Sequence, residues 1–306
     1  MTASLLFTQL LNGLQLGILL FLLSSGLTLV FGIMNFVNLA HGSLYMLGAY
    51  FAASAFRATG SFLAAGVIAV AATLALGVAV ERLALARLYA RDHLDQVLTT
   101  FGLILIFNEA VRFVWGSAPV YMNVPAALAG TVNLFGLPYP AYRFAIIAVG
   151  LAVGLALYVL IHRTRVGMLI RAGAANGPMV AALGVNIRLL NTLVFGLGAA
   201  LAALAGLMAG PIFAVQPGMG ESILILTLVA IVTGGIGSIR GAFYGALLVG
   251  VVDTVGRAFL PALLREFLDR ALAQAAGPAL ASMLIYLLMA VVLALRPRGL
   301  FPVKRS

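Results

Sequence analysis

The sequence predicts an all-α polytopic membrane protein: a bundle of about eight to ten transmembrane helices, some broken or halved, with a short helix in one polar loop. Two observations carry this. Of 306 residues, 63% are hydrophobic and 8% are charged, where a soluble domain carries about 25% charge. The apolar runs are continuous over roughly 15 to 28 residues, which suits membrane helices and not the ~10-residue alternating segments of a membrane barrel. Cysteine is absent, so there is no disulfide framework, no thiolate metal site and no cysteine nucleophile.

Nine apolar segments follow in order, at about 5–33, 40–57, 60–80, 95–114, 141–161, 191–214, 221–235, 241–260 and 279–295. They read as one transmembrane domain over 1–306. The first is longer than a bilayer needs, so it tilts, bends or projects. Its leading stretch "MTASLLFTQLLNG" has no basic region, and the run outlasts a signal-peptide core, so no cleavage is expected. The second follows the polar stretch "MNFVNLAHGS". The fourth ends on Asn108, Glu109 and Arg112. The sixth, "FGLGAALAALAGLMAG", has Gly196, Ala200 and Ala203 at helical spacing and Gly206 and Gly210 as a GxxxG pair. Such small residues let membrane helices approach closely, here within one bundle. The seventh is short enough to be a half-helix. "LTLV" at 27–30 recurs at 226–229, with Gly42 and Tyr45 matching Gly241 and Tyr244 at the same offset. Each copy is helix, short break, helix, the form of a transporter repeat.

The net charge of +10 would suggest nucleic acid in a soluble protein. Here the charges sit in loops and set orientation. Loop 81–93 has three Arg, loop 162–190 has four Arg and His162, and the tail "RPRGLFPVKRS" has four basic residues. An even number of spans separates each pair, so all three lie on the cytoplasmic side, with the carboxyl end inside and the amino end outside. The opposite loops fit: 115–140 is uncharged, and its Trp115, Tyr121 and Tyr139, with Tyr142 beyond it, suit an aromatic belt. In 261–278, Leu263, Leu264, Phe267, Leu268 and Leu272 fall on one face, as in a surface helix or a plain amphipathic loop helix.

Candidate chemistry is sparse. The sole lysine is Lys304, which excludes a Walker A loop, so any ATPase must be another chain. There is no HExxH or GxSxG motif. Gln9, Asn12 and Gln15 recur every third residue and share a helical face; they line a solute path or bond neighbouring helices. Glu109–Arg112 and Asp253–Arg257 stand one turn apart and read as local pairs. Glu221 opens a helix and suits its dipole. The glycine-rich "IVTGGIGSIRGAFYG" is a break in which Gly234, Gly235 and Gly237 allow the bend. In loop 162–190, Asn176-Gly177 is turn chemistry, Pro178 a helix start and Gly184 a stop. A short helix over about 178–184, flanked by Arg171 and Arg188, is a docking element for a soluble partner or a loop ornament.

"GLTLVFGIMNFVNLAHGSLYMLGAY", "TRVGMLIRAGAANGPMVAALGVNIRLLNTLVFGLGAALAALAG", "GMGESILILTLVAIVTGGIGSIRGAFYGALLVG" and "RPRGLFPVKRS" resemble, in order, blocks of the permease subunits of branched-chain amino acid ABC transporters, the LivH-like family. The resemblance implies an inner-membrane permease that does no chemistry and binds no cofactor or metal itself. Its partners would be a second permease subunit, two cytoplasmic ATPases using ATP and Mg, and a periplasmic solute-binding protein. The segment with Arg171, Pro178, Ala182 and Gly184 would be the coupling element. Asn12, Gln15, Asn35, Asn38 and His41 are the candidate path or gate. Substrates would be branched-chain amino acids or a similar small polar solute. Urea or amide import by the same family, and a stand-alone secondary transporter, are the alternatives.

Overall fold

The computed structural model describes residues 3–134 and 136–302. Phe135 of the uncharged loop, the sole lysine Lys304 and the rest of the tail from 303 on lie outside the described residues. Among the described residues there are ten α-helices: α1 (Ala3–Met34), α2 (His41–Thr59), α3 (Phe62–Leu83), α4 (His93–Trp115), α5 (Ala141–Arg163), α6 (Arg165–Ala182), α7 (Ile187–Ala209), α8 (Met219–Gly234), α9 (Ile239–Leu264) and α10 (Arg270–Leu295). The loop before α5 carries an antiparallel hairpin, β1 (Thr131–Leu134) on β2 (Leu137–Pro140), with Thr131 opposite Pro140. Seven helices, α1, α3, α4, α5, α7, α9 and α10, are long and apolar enough to cross a membrane. α2, with 19 residues, and α8, with 16, fall on the other two apolar segments.

The helix starts are written in polar side chains. Ser61 accepts from Ala64 N, Thr164 from Gly167 N, Asn186 from Leu189 N and Ser238 from Gly241 N. Each satisfies an amide that a first turn leaves without a partner.

Two expectations change. The short helix at 178–184 is the last part of α6, which already begins at Arg165 and kinks at Asn176 (φ −155°, ψ 88°). The Asn176 side chain accepts from Met179 N at 3.0 Å and so caps a fresh helical start. Pro178 sits in that first turn, where its missing N–H costs nothing. The surface helix over 261–278 is not a separate element. Leu263 and Leu264 end α9, Phe267 and Leu268 lie in the turn, and Leu272 belongs to α10. The Ala-rich stretch "RALAQAAGPALA" favours helix and carries α10 back to Arg270.

The chain folds as two compact units. Among the described residues, one holds 3–21, 126–151 and 226–302; the other holds Leu22–Pro125 and Ala152–Ile225. In the second unit α2, α3 and α7 pack on one another through small residues. Gly48 lies against Ala203, Gly206 against the Tyr45 carbonyl, Gly77 against Ala199 and Gly26 against Gly198. Beside them Met46, Leu47, Tyr50 and Ala53 of α2 bury against Ile104, Phe107 and Val111 of α4, together with the bridged pair Val120 and Val215. In the first unit, Gly13, Gly17 and Gly250 bring α1 and α9 into backbone contact, and Gly277 of α10 meets the Pro261 ring. The GxxxG pair thus serves packing within the chain: Gly206 faces Tyr45 and Gly210 faces the Met122 sulfur.

Apolar side chains fill the interior and also cover the outside, with hydroxyls and amides buried among them. Ser24, Ser25, Thr28, Asn38, His41, Thr73 and Thr100 are buried, while Leu63, Val67, Ile106, Phe113 and Leu287 are exposed. Large apolar side chains outside and hydroxyls inside are what a lipid solvent selects.

A Cβ at Gly206 would collide with the Tyr45 carbonyl, whereas one at Gly102 meets nothing within 4 Å. Gly206→Val should therefore destabilise the detergent-solubilised protein by about 1–3 kcal/mol, as overpacking does. Gly102→Ala should leave it unchanged or slightly more stable, since Ala favours helix. Thermal unfolding followed by circular dichroism measures both.

Candidate functional site

The interruption between α1 and α2 buries polar side chains in the second unit. α1 closes with Asn35 N bonded to Phe31 O at 3.0 Å, and Asn35 then takes φ 49°, a left-handed conformation that Asn tolerates better than most residues. Phe36 and Asn38 are buried, and His41 N returns to Asn38 O at 3.3 Å to start α2. The residue before α2, Ala40, makes no side-chain cap. Gly42 lies against Gly220 at the start of α8, each against the other's backbone. Two helix N-termini, each with positive dipole character, are thus brought together.

The side chains here are incompletely bonded. The His41 ring contacts the Leu23 carbonyl through Nε2 at 3.2 Å; a carbonyl only accepts, so Nε2 carries the proton. Nδ1 then has no partner among the described residues, and both polar atoms of the Asn38 amide also lack one. Both residues are 1% exposed. A buried polar group left unbonded costs about 1–3 kcal/mol. Such groups persist in native structures where they serve water, an ion or a ligand.

Asn108 of α4 fixes the start of α8. Its carbonyl oxygen accepts from Gly218 N at 3.1 Å, and its amide donates to the Glu221 carboxylate. Asn108 therefore reaches α8, while Glu109 and Arg112 form the local pair at 2.7 Å. Asp253 and Arg257 pair likewise at 2.9 Å.

The structure places Asn12 and Gln15 in the first unit and Asn35, Asn38 and His41 in the second. Asn12 is fully engaged: it donates to Gln9 at 3.2 Å and accepts from the Tyr139 hydroxyl at 3.3 Å and from Arg143. It ties α1 to β2 and α5. Gln15 is buried, with its amide nitrogen unpartnered among the described residues.

In the coupling candidate, Arg171 donates to the Ile161 carbonyl and so anchors α6 to the end of α5. Pro178 and Ala182 are exposed, as are Met179 (59%) and Leu183 (78%). Gly184 takes φ 89° and faces open space. The kinked helix thus ends in an exposed apolar tip.

The glycine break is sealed from the carboxyl end, which sequence reasoning did not foresee. Gly235 (φ 113°) and Gly237 (φ 81°) turn the chain. Leu300 N donates to Thr233 O at 3.0 Å and Phe301 N to Gly234 O at 2.8 Å. The Phe301 ring stacks on Tyr244 at 4.8 Å. The tail thus supplies donors that the end of α8 otherwise lacks.

Sequence reasoning also missed Glu81. It reads as part of a basic loop, yet it is 1% exposed and accepts hydrogen bonds from Tyr89 at 2.7 Å and Thr192 at 2.8 Å. Burial first, then the bond to Glu81 and its charge, push the Tyr89 hydroxyl above the ordinary tyrosine range, so it remains a donor. The available signal was an acidic residue closing an apolar run. Among the described residues, no three His, Asp or Glu side chains gather as a metal site requires.

Comparison with known proteins agrees in one direction. The family described as the permease component of branched-chain amino acid transport systems matches residues 9–293. The high-affinity branched-chain amino acid transport system permease protein BraD of Pseudomonas aeruginosa is 32% identical over 263 residues, 81% of this chain and 85% of its own. The corresponding protein LivH of Escherichia coli K12 is 30% identical over 278 residues, 86% of this chain and 90% of its own. The ribose import permease protein RbsC of Escherichia coli K12 is 27% identical over 244 residues, 76% of this chain and 72% of its own. No solved structure matches the chain at a significant level. With a broken, polar-lined helix pair, seven membrane-length helices and a family match over nearly its whole length, the chain belongs to the permease-component family of branched-chain amino acid transport systems.

Proposed function

We propose that this chain is the inner-membrane permease subunit of an ATP-binding-cassette importer for branched-chain amino acids or a similar small polar solute. The observation that carries the reading is the α1–α2 break, where Asn38, in the non-helical stretch, and His41, the first residue of α2, are buried and keep polar atoms unpartnered among the described residues. Irregular backbone at membrane depth is tolerated where it is buried in protein or lines a cavity. A zwitterionic solute carries both donors and acceptors and suits such groups. Asn38 and His41, with Asn35, form the gate. In the first unit Gln15 serves the solute path, and Asn12 holds the helix that presents it.

The two units act as one permease domain. The driving force comes from two partner ATPases that use ATP and Mg, since the sole lysine, Lys304, leaves no Walker A loop here. A periplasmic binding protein delivers solute, and a second permease subunit completes the pathway. The segment from Arg171 through Pro178 and Ala182 to Gly184 seats on one ATPase. The loops support this orientation. The Glu81–Thr192 bond joins the basic loop 81–93 to the end of the basic segment 162–190, as the cytoplasmic side requires. The uncharged loop after α4 meets the α7–α8 loop at Val120–Val215, as the opposite side requires.

Reconstitution with the partner subunits should give ATP-dependent uptake of labelled leucine, with urea and ribose as comparison solutes; no ATP-dependent uptake of any of these would overturn the proposal. In that system Asn38→Ala should lower uptake by about 10-fold, the weight of one to two lost polar contacts, with folding unchanged. Uptake equal to wild type removes Asn38 from the gate. For the coupling segment, Gly184→Trp puts bulk on the exposed tip and strains a left-handed position by about 1–2 kcal/mol. ATP hydrolysis should continue while uptake per ATP falls; normal coupling would exclude the tip from the ATPase contact.

A further inference from the structure

The basic loop between α3 and α4 holds a buried carboxylate that the transport reading does not use. Glu81 lies in the last turns of α3, 1% exposed. Each of its oxygens accepts one hydroxyl: Oε1 from Tyr89 at 2.7 Å, Oε2 from Thr192 at 2.8 Å. Arg82, Arg87 and Arg188 line the same cavity of about 640 Å³, yet among the described residues none pairs with Glu81. Burying a charge is costly unless it is bonded. Were the task only to staple a loop to a helix, an amide or an apolar side chain would do it at less cost.

Two contacts extend the cluster in opposite directions. Thr192 stands in α7, within two turns of the Asn186 cap and the Gly184 turn that ends the coupling segment. Its hydroxyl has one proton and two acceptors in reach, the Glu81 carboxylate at 2.8 Å and the Arg188 carbonyl at 3.0 Å. A hydroxyl between two acceptors is a two-position element, and a small shift at the start of α7 decides which it serves. On the other side, the Tyr89 ring meets Phe36 edge-on, with centroids 5.5 Å apart. Phe36 is fully buried in the middle of the α1–α2 break, between Asn35 and Asn38. A continuous path of packed groups therefore runs from the coupling segment to the gate, all within the second unit.

We infer that Glu81 and Tyr89 are positioning residues: with Thr192 and Phe36 they carry the motion of the α6–α7 coupling segment to the α1–α2 break. When the start of α7 moves, Thr192 turns from Glu81 to the Arg188 carbonyl. Glu81 then loses its anchor on α7 and keeps only Tyr89, so the pair shifts together, and Phe36 follows, rearranging Asn38 and His41. The cavity beside Glu81 gives the loop room for this. No residue of the relay touches solute. The inference rests on the ATPase-coupled reading above.

The test uses the reconstituted complex. Tyr89→Phe keeps the ring on Phe36 and removes the Glu81 bond; Thr192→Val removes the other bond. Each should hydrolyse ATP within about twofold of wild type while uptake per ATP falls at least 10-fold, and the double variant should be no worse than either single, as links in series require. Folded variants with normal uptake per ATP, or effects that add, would overturn the relay. A staple with no such role would lower hydrolysis, uptake and thermal stability together, which also overturns it. The chain has no cysteine, so Val37→Cys places a single thiol in the break. Its maleimide labelling rate should differ between the ATP-bound and nucleotide-free complexes, whether or not the other variants fold, and equal rates would overturn the relay. Wild-type complex without ATP-driven uptake would instead sink the transport proposal itself.

Discussion

Every part of this protein answers to one constraint: a peptide group in lipid must find its hydrogen bond inside the protein. Helices meet it automatically along their length, so the informative places are where helices stop. At four of them a Ser, Thr or Asn side chain supplies the missing acceptor. At the end of α8 the tail supplies donors from Leu300 and Phe301. The start of α2 is different, because Ala40 offers no side-chain acceptor.

The same constraint explains the glycines. Lipid tails are as apolar as leucine, so little hydrophobic force holds one helix to another in a membrane, and close van der Waals contact must do more of the work. Gly48 on Ala203, Gly77 on Ala199 and Gly206 on the Tyr45 carbonyl bring backbones together in the second unit. Gly13, Gly17 and Gly250 do so in the first. Close packing also shuts water out, which makes each remaining buried polar atom expensive to leave unbonded. Asn38 and His41 stand out for that reason.

Much of this was legible in the sequence. Apolar run length places all nine segments on helices, because hydropathy in a membrane protein reports burial in lipid directly. The pairs Glu109–Arg112 and Asp253–Arg257 were readable because helical spacing brings them together. What could not be read depends on contacts distant in sequence. Asn108 pins Gly218 and Glu221, more than a hundred residues away, and Thr192 reaches Glu81 across a similar gap. The start of α10 was misplaced because an Ala-rich stretch with a charged first turn looks like a loop to hydropathy and like a helix to backbone propensity. Among the path candidates, Asn12 and Gln15 share a face by periodicity, yet only the structure shows Asn12 already engaged by Gln9, Tyr139 and Arg143.

The echo between residues 27–45 and 226–244 gains meaning from how the two breaks are finished. Each joins a helix ending at its break, α1 or α8, to a new helix, α2 or α9, and the two lie in different units. The second break is closed: Gly235 and Gly237 make the turn, the tail takes the carbonyls of Thr233 and Gly234, and among the described residues the buried Thr233 hydroxyl is left unpartnered. The first break turns on Asn35 and, among the described residues, leaves a whole amide and an imidazole nitrogen unpartnered. Both breaks face the same demand to satisfy backbone in lipid, and one of them meets it more fully. That difference supports the proposal that the first break serves the transport path while the second is structural, since costly, unmet polarity is retained where something must pass or move.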